Sequence, residues 1–394
     1  MKKLTIAIAV SSALVSGASF AGNVDTMIFQ NADDNNVTVT QNTSGTSLAD
    51  GNEAHETIIY GDHNKIDILQ TGKRNLSKTA INGEAGKNSN RNKLSVDQYG
   101  DDNKAKITLN GGKSDHNKLT IIQEGDHNKS KIMLEKGTDR NTAKVNIHND
   151  SNYNKTKSTF GRGADDNRLN IEIEKGAYNK VKTSVANHSD DNKAKVGIHY
   201  GLGNKVVIAQ DGNKNKAKVY MTAAGYNDVN IAQDGARNKA KVDIHYGLGN
   251  VVAIDQAGYK NKAKVDITAG AYNNVDIDQD GARNKAKVDI SLGFANNVNI
   301  AQDGHHNKAK VDITHGAHND VDIDQDGYDN VAKVDISHGN GNDVDIEQTA
   351  HNATAKVSMY QSNYNTIDVT QNINDSSTIT ANYSNNNSAI VVQN

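Results

Sequence analysis

Primary amides are the side chains of this sequence whose type and spacing suit them to act together. Glutamines recur every 23 residues in one series: Gln210, Gln233, Gln256, Gln279, Gln302, Gln325 and Gln348. Asparagines keep the same count in a first series (Asn215, Asn238, Asn261, Asn284, Asn307, Asn330) and in a second (Asn204, Asn227, Asn250, Asn273, Asn296, Asn319, Asn342). Because an amide both donates and accepts, identical amides on neighbouring turns of a repeating fold bond to one another. We therefore predict columns of amide hydrogen bonds.

The glutamine series gives the more specific prediction, because its neighbours in the pattern are apolar. An unpaired amide inside an apolar row would cost about 1–3 kcal/mol. A glutamine that stays in such a row through seven repeats is therefore expected to bond to its own copies. An alternative interpretation is that asparagine and glycine only mark loops, but loops would not keep the count so strictly.

Other groups with possible chemistry are carboxylates and histidines, and their patterns argue against a catalytic or metal site. The run Asp276 to Gly281 resembles the opening of an EF-hand calcium loop, yet its twelfth position is Lys287 and no helix is predicted beside it. Histidines form no repeating pair at ligand spacing, and cysteine is absent. Asp and His recur throughout the repeats, whereas a catalytic site needs one particular arrangement of residues. We predict no enzyme activity, no cofactor and no metal.

The elements that must position the amides are strands. In the clearest repeat, Val275, Ile277 and Gln279 alternate with aspartates, and this period of two with β-branched residues indicates a strand. A second strand is predicted over 286–290, with turns at 280–283 and 291–295. Glycines in the first turn are expected at positive φ or at a close backbone approach, and they are Gly212, Gly235, Gly258, Gly281, Gly304 and Gly327.

Stacking such units buries their apolar edges, so the period of 23 residues predicts an all-β fold, a β-solenoid (β-helix) of about 15 two-strand coils. We divide the chain into a signal peptide at 1–21, irregular coils at 22–203, regular 23-residue repeats at 204–371 and a degenerate terminal coil at 372–394. The glutamines up to Gln123 fall on one strand of the predicted coil, and those from Gln210 onward fall on the other. Either the glutamine column changes sides between these residues, or the alignment of repeats drops half a coil.

Residues 1–21 have the features of a secretory signal, namely two lysines, an apolar run and small residues before Gly22. No other stretch is apolar enough to span a bilayer. Proline is absent, as a continuous ladder of strands requires, because proline lacks a backbone donor. The net charge of −3 gives no reason to expect nucleic-acid binding.

The spacing Asn-x5-Gln-x-Gly-x-x-Asn-x-Ala, as in Asn273, Gln279, Gly281, Asn284 and Ala286, resembles the curlin repeat of curli fibre subunits. The resemblance implies a secreted protein that polymerises with itself into functional amyloid at the cell surface and in biofilm. It also implies a dedicated outer-membrane export pore and a nucleator subunit as partners. Three departures are that isoleucine, as at Ile290, replaces the family's second glutamine, that the family's usual number of repeats is exceeded about threefold, and that no glycine-rich leader is evident after residue 21.

Charged residues occupy the outward positions of the predicted strands. One face combines lysine columns, represented by Lys285 and Lys287, with an aspartate column that includes Asp289, and the opposite face carries Asp276 and Asp278. Like charges stacked in water repel by under about 1 kcal/mol, which strand stacking outweighs. Two interpretations remain open: solvated faces, or docking of the lysine-rich face of one molecule on the aspartate-rich face of another.

The sequence predicts a structural protein that grows by adding coils to open ends, as curlin-like fibre subunits do. The alternative is a monomeric capped β-solenoid that acts as an adhesin or a ligand-binding rod. An ice-binding solenoid would need threonine columns where lysine and aspartate stand. The sequence leaves open whether the chain is a major subunit or a nucleator.

Overall fold

A computed structural model describes residues 9–10, 22–43, 47–361, 363–372, 374–380, 382 and 385–394. The protein is all-β and winds as a β-solenoid of about 14 turns, which confirms the predicted fold class and is close to the 15 coils predicted. A 3-10 turn at Leu48–Asp50 is the helical element of the described residues. None of the described helices has the length and apolar character needed to cross a membrane.

The chain divides into two compact units, Met1–Gly201 with Ala209–Asp211, and Leu202–Ile208 with Gly212–Asn394. In the first unit successive strands alternate between two parallel sheets. Sheet 1 contains, in spatial order, β3 (Asn36–Asn42), β5 (Lys65–Thr71), β7 (Lys93–Tyr99), β9 (Lys118–Glu124), β11 (Thr142–His148), β13 (Arg168–Glu174) and β15 (Lys193–His199). Sheet 2 contains β2 (Val24–Gln30), β4 (Glu53–Ile59), β6 (Leu76–Asn82), β8 (Lys104–Asn110), β10 (Lys129–Leu134), β12 (Lys155–Phe160) and β14 (Lys180–Val185).

Residues 1–21, the predicted signal peptide, lie outside the described residues apart from the two-residue strand β1 (Ala9–Val10), which pairs with β3. Strand β16 (Lys205–Gln210) has residues in both units.

The second unit is built on one long parallel sheet. Its strands, in spatial order, are β18 (Asp228–Gln233), β19 (Val251–Gln256), β20 (Asn274–Gln279), β21 (Asn297–His305), β22 (Asp320–Tyr328), β23 (Asp343–Gln348), β25 (Thr366–Gln371) and β27 (Ser388–Gln393). The other strands are β17 (Lys216–Thr222), β24 (Thr354–Lys356) and β26 (Ser376–Thr378). Pairing is in register, so that Val275 lies beside Val298 and Gln279 beside Gln302.

The inward and outward sets of residues are those the alternation predicts. Val275, Ile277 and Gln279 are buried, while Asp276 and Asp278 are exposed on the outer face. The narrow interior is therefore a stack of valine, isoleucine and glutamine rows, each continuous from coil to coil.

The second segment of the regular repeat departs from the predicted strand. Ala286, Val288 and Ile290 point inward and are buried as predicted, yet the segment pairs with its neighbours through single bridges at Lys285 instead of a continuous ladder. The backbone leaves the extended conformation because Ile290 has φ 68° and Ser291 has φ 60°, and the Ser291 N–H donates to the Asp289 carbonyl at 3.1 Å. This is a γ-turn, a strained conformation for a β-branched residue.

Candidate functional site

The glutamine column of the second unit is a continuous chain of side-chain hydrogen bonds. Nε2 of each glutamine donates to Oε1 of the next, at 2.8 Å from Gln256 to Gln279 and 2.7 Å from Gln279 to Gln302. The same Nε2 also donates to a backbone carbonyl across the interior, as from Gln302 to Lys285 at 3.1 Å. The bonds continue to Gln325, Gln348, Gln371 and Gln393 at 2.7–2.8 Å. All predicted glutamines, from Gln210 to Gln348, are at most 2% exposed.

In the first unit the glutamine column lies in sheet 1, where Gln41, Gln70, Gln98 and Gln123 bond in sequence at 2.8–2.9 Å. The equivalent place on β11 is taken by Ile147. Gln210 instead belongs to the other side, where its carbonyl accepts from the Ala186 N–H just after β14. The column therefore changes sides between Gln123 and Gln210, and no half-coil is lost.

The second asparagine series forms a side-chain ladder as well. Oδ1 of Asn250 accepts both the backbone N–H and the Nδ2 of Asn273, each at 2.9 Å. Nδ2 of Asn273 also donates to the Gly293 carbonyl at 3.0 Å, which closes the turn of the next coil. The series from Asn204 to Asn342 is at most 1% exposed, and the pattern repeats along it.

The first asparagine series is built differently from the prediction of amide on amide. Oδ1 of Asn261 accepts the backbone N–H of Asn284 at 3.0 Å, but Nδ2 of Asn284 donates to the carbonyls of Asp280 at 2.6 Å and Gly304 at 3.0 Å. The turn at positive φ before each asparagine brings these carbonyls to the amide. The column from Asn215 to Asn330 is thus joined through the backbone, and its side chains hold the turns.

The glycines that follow the glutamines meet both conditions predicted for them. Gly281 has φ 92°, and a Cβ there would lie 2.1 Å from the Gly304 carbonyl oxygen of the next coil. The other predicted glycines, at 212, 235, 258, 304 and 327, have φ between 78° and 104°. Neighbouring turns therefore approach so closely that a side chain does not fit.

The lysine and aspartate columns on the irregular face interdigitate. Lys287 bonds to Asp289 of its own coil and lies 3.3 Å from Asp312 of the next, and Lys264 lies 3.1 Å from Asp289. The result is a chain of alternating charge in place of the two repelling columns anticipated. The lysine column that includes Lys287 is therefore neutralised by its own aspartates, whereas Lys285 of the other column has no carboxylate of the described residues within 4.0 Å.

Sequence reasoning missed a buried carboxyl group near the start of the chain. Glu56 on β4 points inward and is 2% exposed, where Ile132 stands on a later strand of sheet 2. Burial, together with the nearby Asp25 carboxylate, raises the pKa of Glu56 to about 9. The signal in the sequence was a glutamate at an inward-facing strand position, in a row whose other members are apolar or carry a hydroxyl group.

In the residues the structure describes, no three His, Asp or Glu side chains are grouped closely enough to hold a metal ion. Asp276 and Asp278, from the calcium-like motif, point outward while Gln279 points inward.

Comparison with curated proteins finds no match for this chain. A scan against protein families finds one over residues 316–349, which span β22 and β23 and contain Gln325, Gly327, Asn330 and Asn342. The family is described as the curlin associated repeat, so the chain carries the curlin repeat that its amide spacing resembles.

Proposed function

We propose that the protein is a secreted, curlin-like subunit of a functional-amyloid fibre at the cell surface or in the biofilm matrix, and that molecules join by stacking coils end to end. The role is structural and not enzymatic. By resemblance, its partners are further copies of itself, a dedicated outer-membrane export pore and a nucleator subunit, with no nucleic acid.

The inward pattern of β27, the last strand that the structure describes, carries this proposal. β27 repeats the inward pattern of the inner coils with Ala389, Val391 and Gln393, and it pairs with β25. The inward residues of β25 are almost fully buried, whereas those of β27 are only half-buried because no further strand of the described residues covers them. Gln393 accepts from Gln371 at 2.7 Å, in the same direction as the inner bonds of the column. An unpaired strand edge with an unfinished apolar row is a template for another strand.

A matching strand exists in the first unit. β3 presents Val37, Val39 and Gln41 inward, and Gln41 Nε2 donates to Gln70. Its inward order, apolar, apolar and glutamine, is the order on β27. In a mature chain without residues 1–21, whose β1 pairs with β3, a molecule that placed β27 against β3 of the next would continue both the apolar rows and the amide column.

The test compares two lysine substitutions on adjacent residues of β27. Val391→Lys places a charge in the inward row and is expected to abolish growth, whereas Ile390→Lys points outward and is expected to leave growth intact. After dilution of the mature protein from denaturant, thioflavin fluorescence and a fibre reflection at about 4.7–4.8 Å report assembly. A wild-type chain that remains a stable, soluble monomer would favour the alternative, a capped solenoid adhesin.

A further inference from the structure

The outer face of sheet 2 carries an array of lysines that we name the lysine strip. It consists of two lysines on each of β8, β10, β12 and β14: Lys104, Lys106, Lys129, Lys131, Lys155, Lys157, Lys180 and Lys182. Strand register places them in two straight columns, Lys104–Lys129–Lys155–Lys180 and Lys106–Lys131–Lys157–Lys182. The remaining outward positions of these strands are uncharged, as at Thr108 and Met133.

The charge of these lysines is not neutralised within the fold, unlike that of one of the two lysine columns of the regular repeats. No carboxylate of the described residues lies within 4.0 Å of any of their ammonium groups, whereas Lys264, Lys287 and Lys310 each contact two aspartates. Partial burial and the like charges of Lys106 and Lys157 lower the pKa of Lys131. The lysine strip therefore stores repulsion that an external array of anions would relieve.

The second unit presents the opposite array, which we name the acidic strip. It lies on the outer face of β20 to β23 and contains Asp276, Asp278, Asp320, Asp322, Asp324, Asp343, Asp345 and Glu347, with Asn297 and Asn299 on β21. Register again gives straight columns, for example Asp320 beside Asp343 and Asp322 beside Asp345. No lysine or arginine lies on the outer face of these strands. Burial and neighbouring carboxylates raise the pKa of Asp324 and Asp345.

The two strips share one lattice. The lysine strip uses the first and third positions of its strands, and the acidic strip uses the first, third and fifth positions of β22 and β23 and the third and fifth positions of β20. On adjacent charged strands of either strip the charges stand about 4.8 Å apart across strands and about 6.7 Å apart along a strand. Because the spacing is equal, lysines of two adjacent strands can face the carboxylates of β22 and β23 together, which a partner with another repeat would not allow. We propose that the lysine strip of one molecule docks on the acidic strip of a second copy, and so joins molecules or fibres side by side.

This docking differs from the lateral contact that the sequence suggested, since one lysine column of the regular repeats, with Lys264, Lys287 and Lys310, is occupied by its own aspartates. It also does not depend on end-to-end growth, because each strip lies within one unit.

Charge reversal tests the proposal, with the freshly refolded full-length mature chain and sedimentation velocity at low salt as the measure of pairing. Lys106/Lys131/Lys157→Glu inverts part of the lysine strip, and Asp320/Asp322/Asp345→Lys inverts part of the acidic strip. Each variant alone is expected to self-associate at least about tenfold more weakly, because like charges now face one another. An equimolar mixture is expected to regain association, because each native strip and each inverted strip then finds its complement. Wild-type pairing is expected to be lost at about 0.5 M salt, where screening acts within a few ångströms.

A matched control reverses three exposed lysines of the same unit that lie outside the strip, Lys87/Lys113/Lys118→Glu, and is expected to pair as the wild type does. Equal association of all single variants would overturn the proposal, and so would a mixture that fails to recover. Loss with only the lysine variant would also overturn it, since that result identifies a partner other than the acidic strip. Thioflavin growth curves of the same samples report end-to-end assembly separately, so a failure of that function is distinguishable from a failure of lateral docking.

Discussion

Replacing one buried glutamine with a residue of similar size and no amide is the sharpest test of the amide column. Gln302→Met keeps the length of the side chain and removes its hydrogen-bonding groups. Gln302 is 2% exposed, and its amide accepts from Gln279 at 2.7 Å and donates to Gln325 at 2.7 Å and to Lys285 at 3.1 Å. The change therefore leaves a buried N–H of Gln279 without its acceptor and a buried oxygen of Gln325 without its donor.

Each orphaned buried group costs about 1–3 kcal/mol, and the added apolar contact of methionine offsets part of the sum. We expect Gln302→Met to lower the free energy of unfolding by about 2–4 kcal/mol. Two changes on the same strand calibrate this value. Ile300→Val removes one buried methylene and is expected to cost about 1 kcal/mol, and Asn299→Ser on the outer face less than about 0.5 kcal/mol.

The assay is urea unfolding followed by circular dichroism, begun directly after refolding so that assembly does not intervene. Hydrogen exchange adds a local measure, since amides of β20 to β22 should lose protection while those of β5 should not. We expect the loss of unfolding free energy to be largest for Gln302→Met, smaller for Ile300→Val and smallest for Asn299→Ser. If Gln302→Met cost no more than Ile300→Val, the glutamine column would be a consequence of the fold and not one of its supports.

Three further predictions concern pH and backbone strain. Glu56 stays protonated in the folded protein, whereas in the unfolded chain it ionises above about pH 4.5. The free energy of unfolding of the wild type should therefore fall by about 1.4 kcal/mol for each pH unit from 4.5 towards 9. Glu56→Gln should flatten this part of the profile of unfolding free energy against pH, and raise stability at pH 7 by up to about 3 kcal/mol. Gly281→Ala should destabilise by more than about 2 kcal/mol, because its Cβ meets a carbonyl oxygen at 2.1 Å, while Gly137→Ala, with φ 73° and its nearest contact at 3.9 Å, should cost only about 1–2 kcal/mol; thermal unfolding of the pair separates the clash from the strain. Ser291→Gly should raise the free energy of unfolding by about 0.5–1 kcal/mol, because a residue at φ 60° is relieved of its strain, and a decrease in urea midpoint would contradict this.

The sequence was sufficient to predict features that depend on counting. In a β-solenoid, a fixed interval of 23 residues places Gln279 beside Gln302 whatever the conformation of the turns. The columns and the inward rows therefore followed directly from the sequence. The parity of each residue then decided burial, as for Val288 and Asp289. Features that depend on local dihedral angles were not predictable in this way. Nothing in the alternation of Ala286, Val288 and Ile290 indicates that Ile290 adopts φ 68° and ends the strand.

The sequence predicted where the charged side chains lie but not which of them form ion pairs. Lysine and aspartate columns were placed on the correct faces, yet which ammonium meets which carboxylate depends on the offset between coils. Lys287 reaches both Asp289 and Asp312 because the irregular segment brings the two columns within 3.3 Å. On the regular strands of sheet 2 no carboxylate of the described residues comes that near, and Lys131 faces Lys106 and Lys157 instead.

The change of sides of the glutamine column shows what the interior of such a fold requires. Gln123 has no glutamine beyond it, since the next strand of its sheet offers Ile147. Its Nε2 donates across the interior to the Ser130 hydroxyl at 3.1 Å, and that hydroxyl also accepts from Thr156 at 3.0 Å. A column of amides can therefore end inside the protein wherever the facing sheet supplies a hydroxyl. The sequence must supply a hydrogen-bond acceptor for the N–H of the last amide in the column, and an unbroken run of glutamines is only one way to do so.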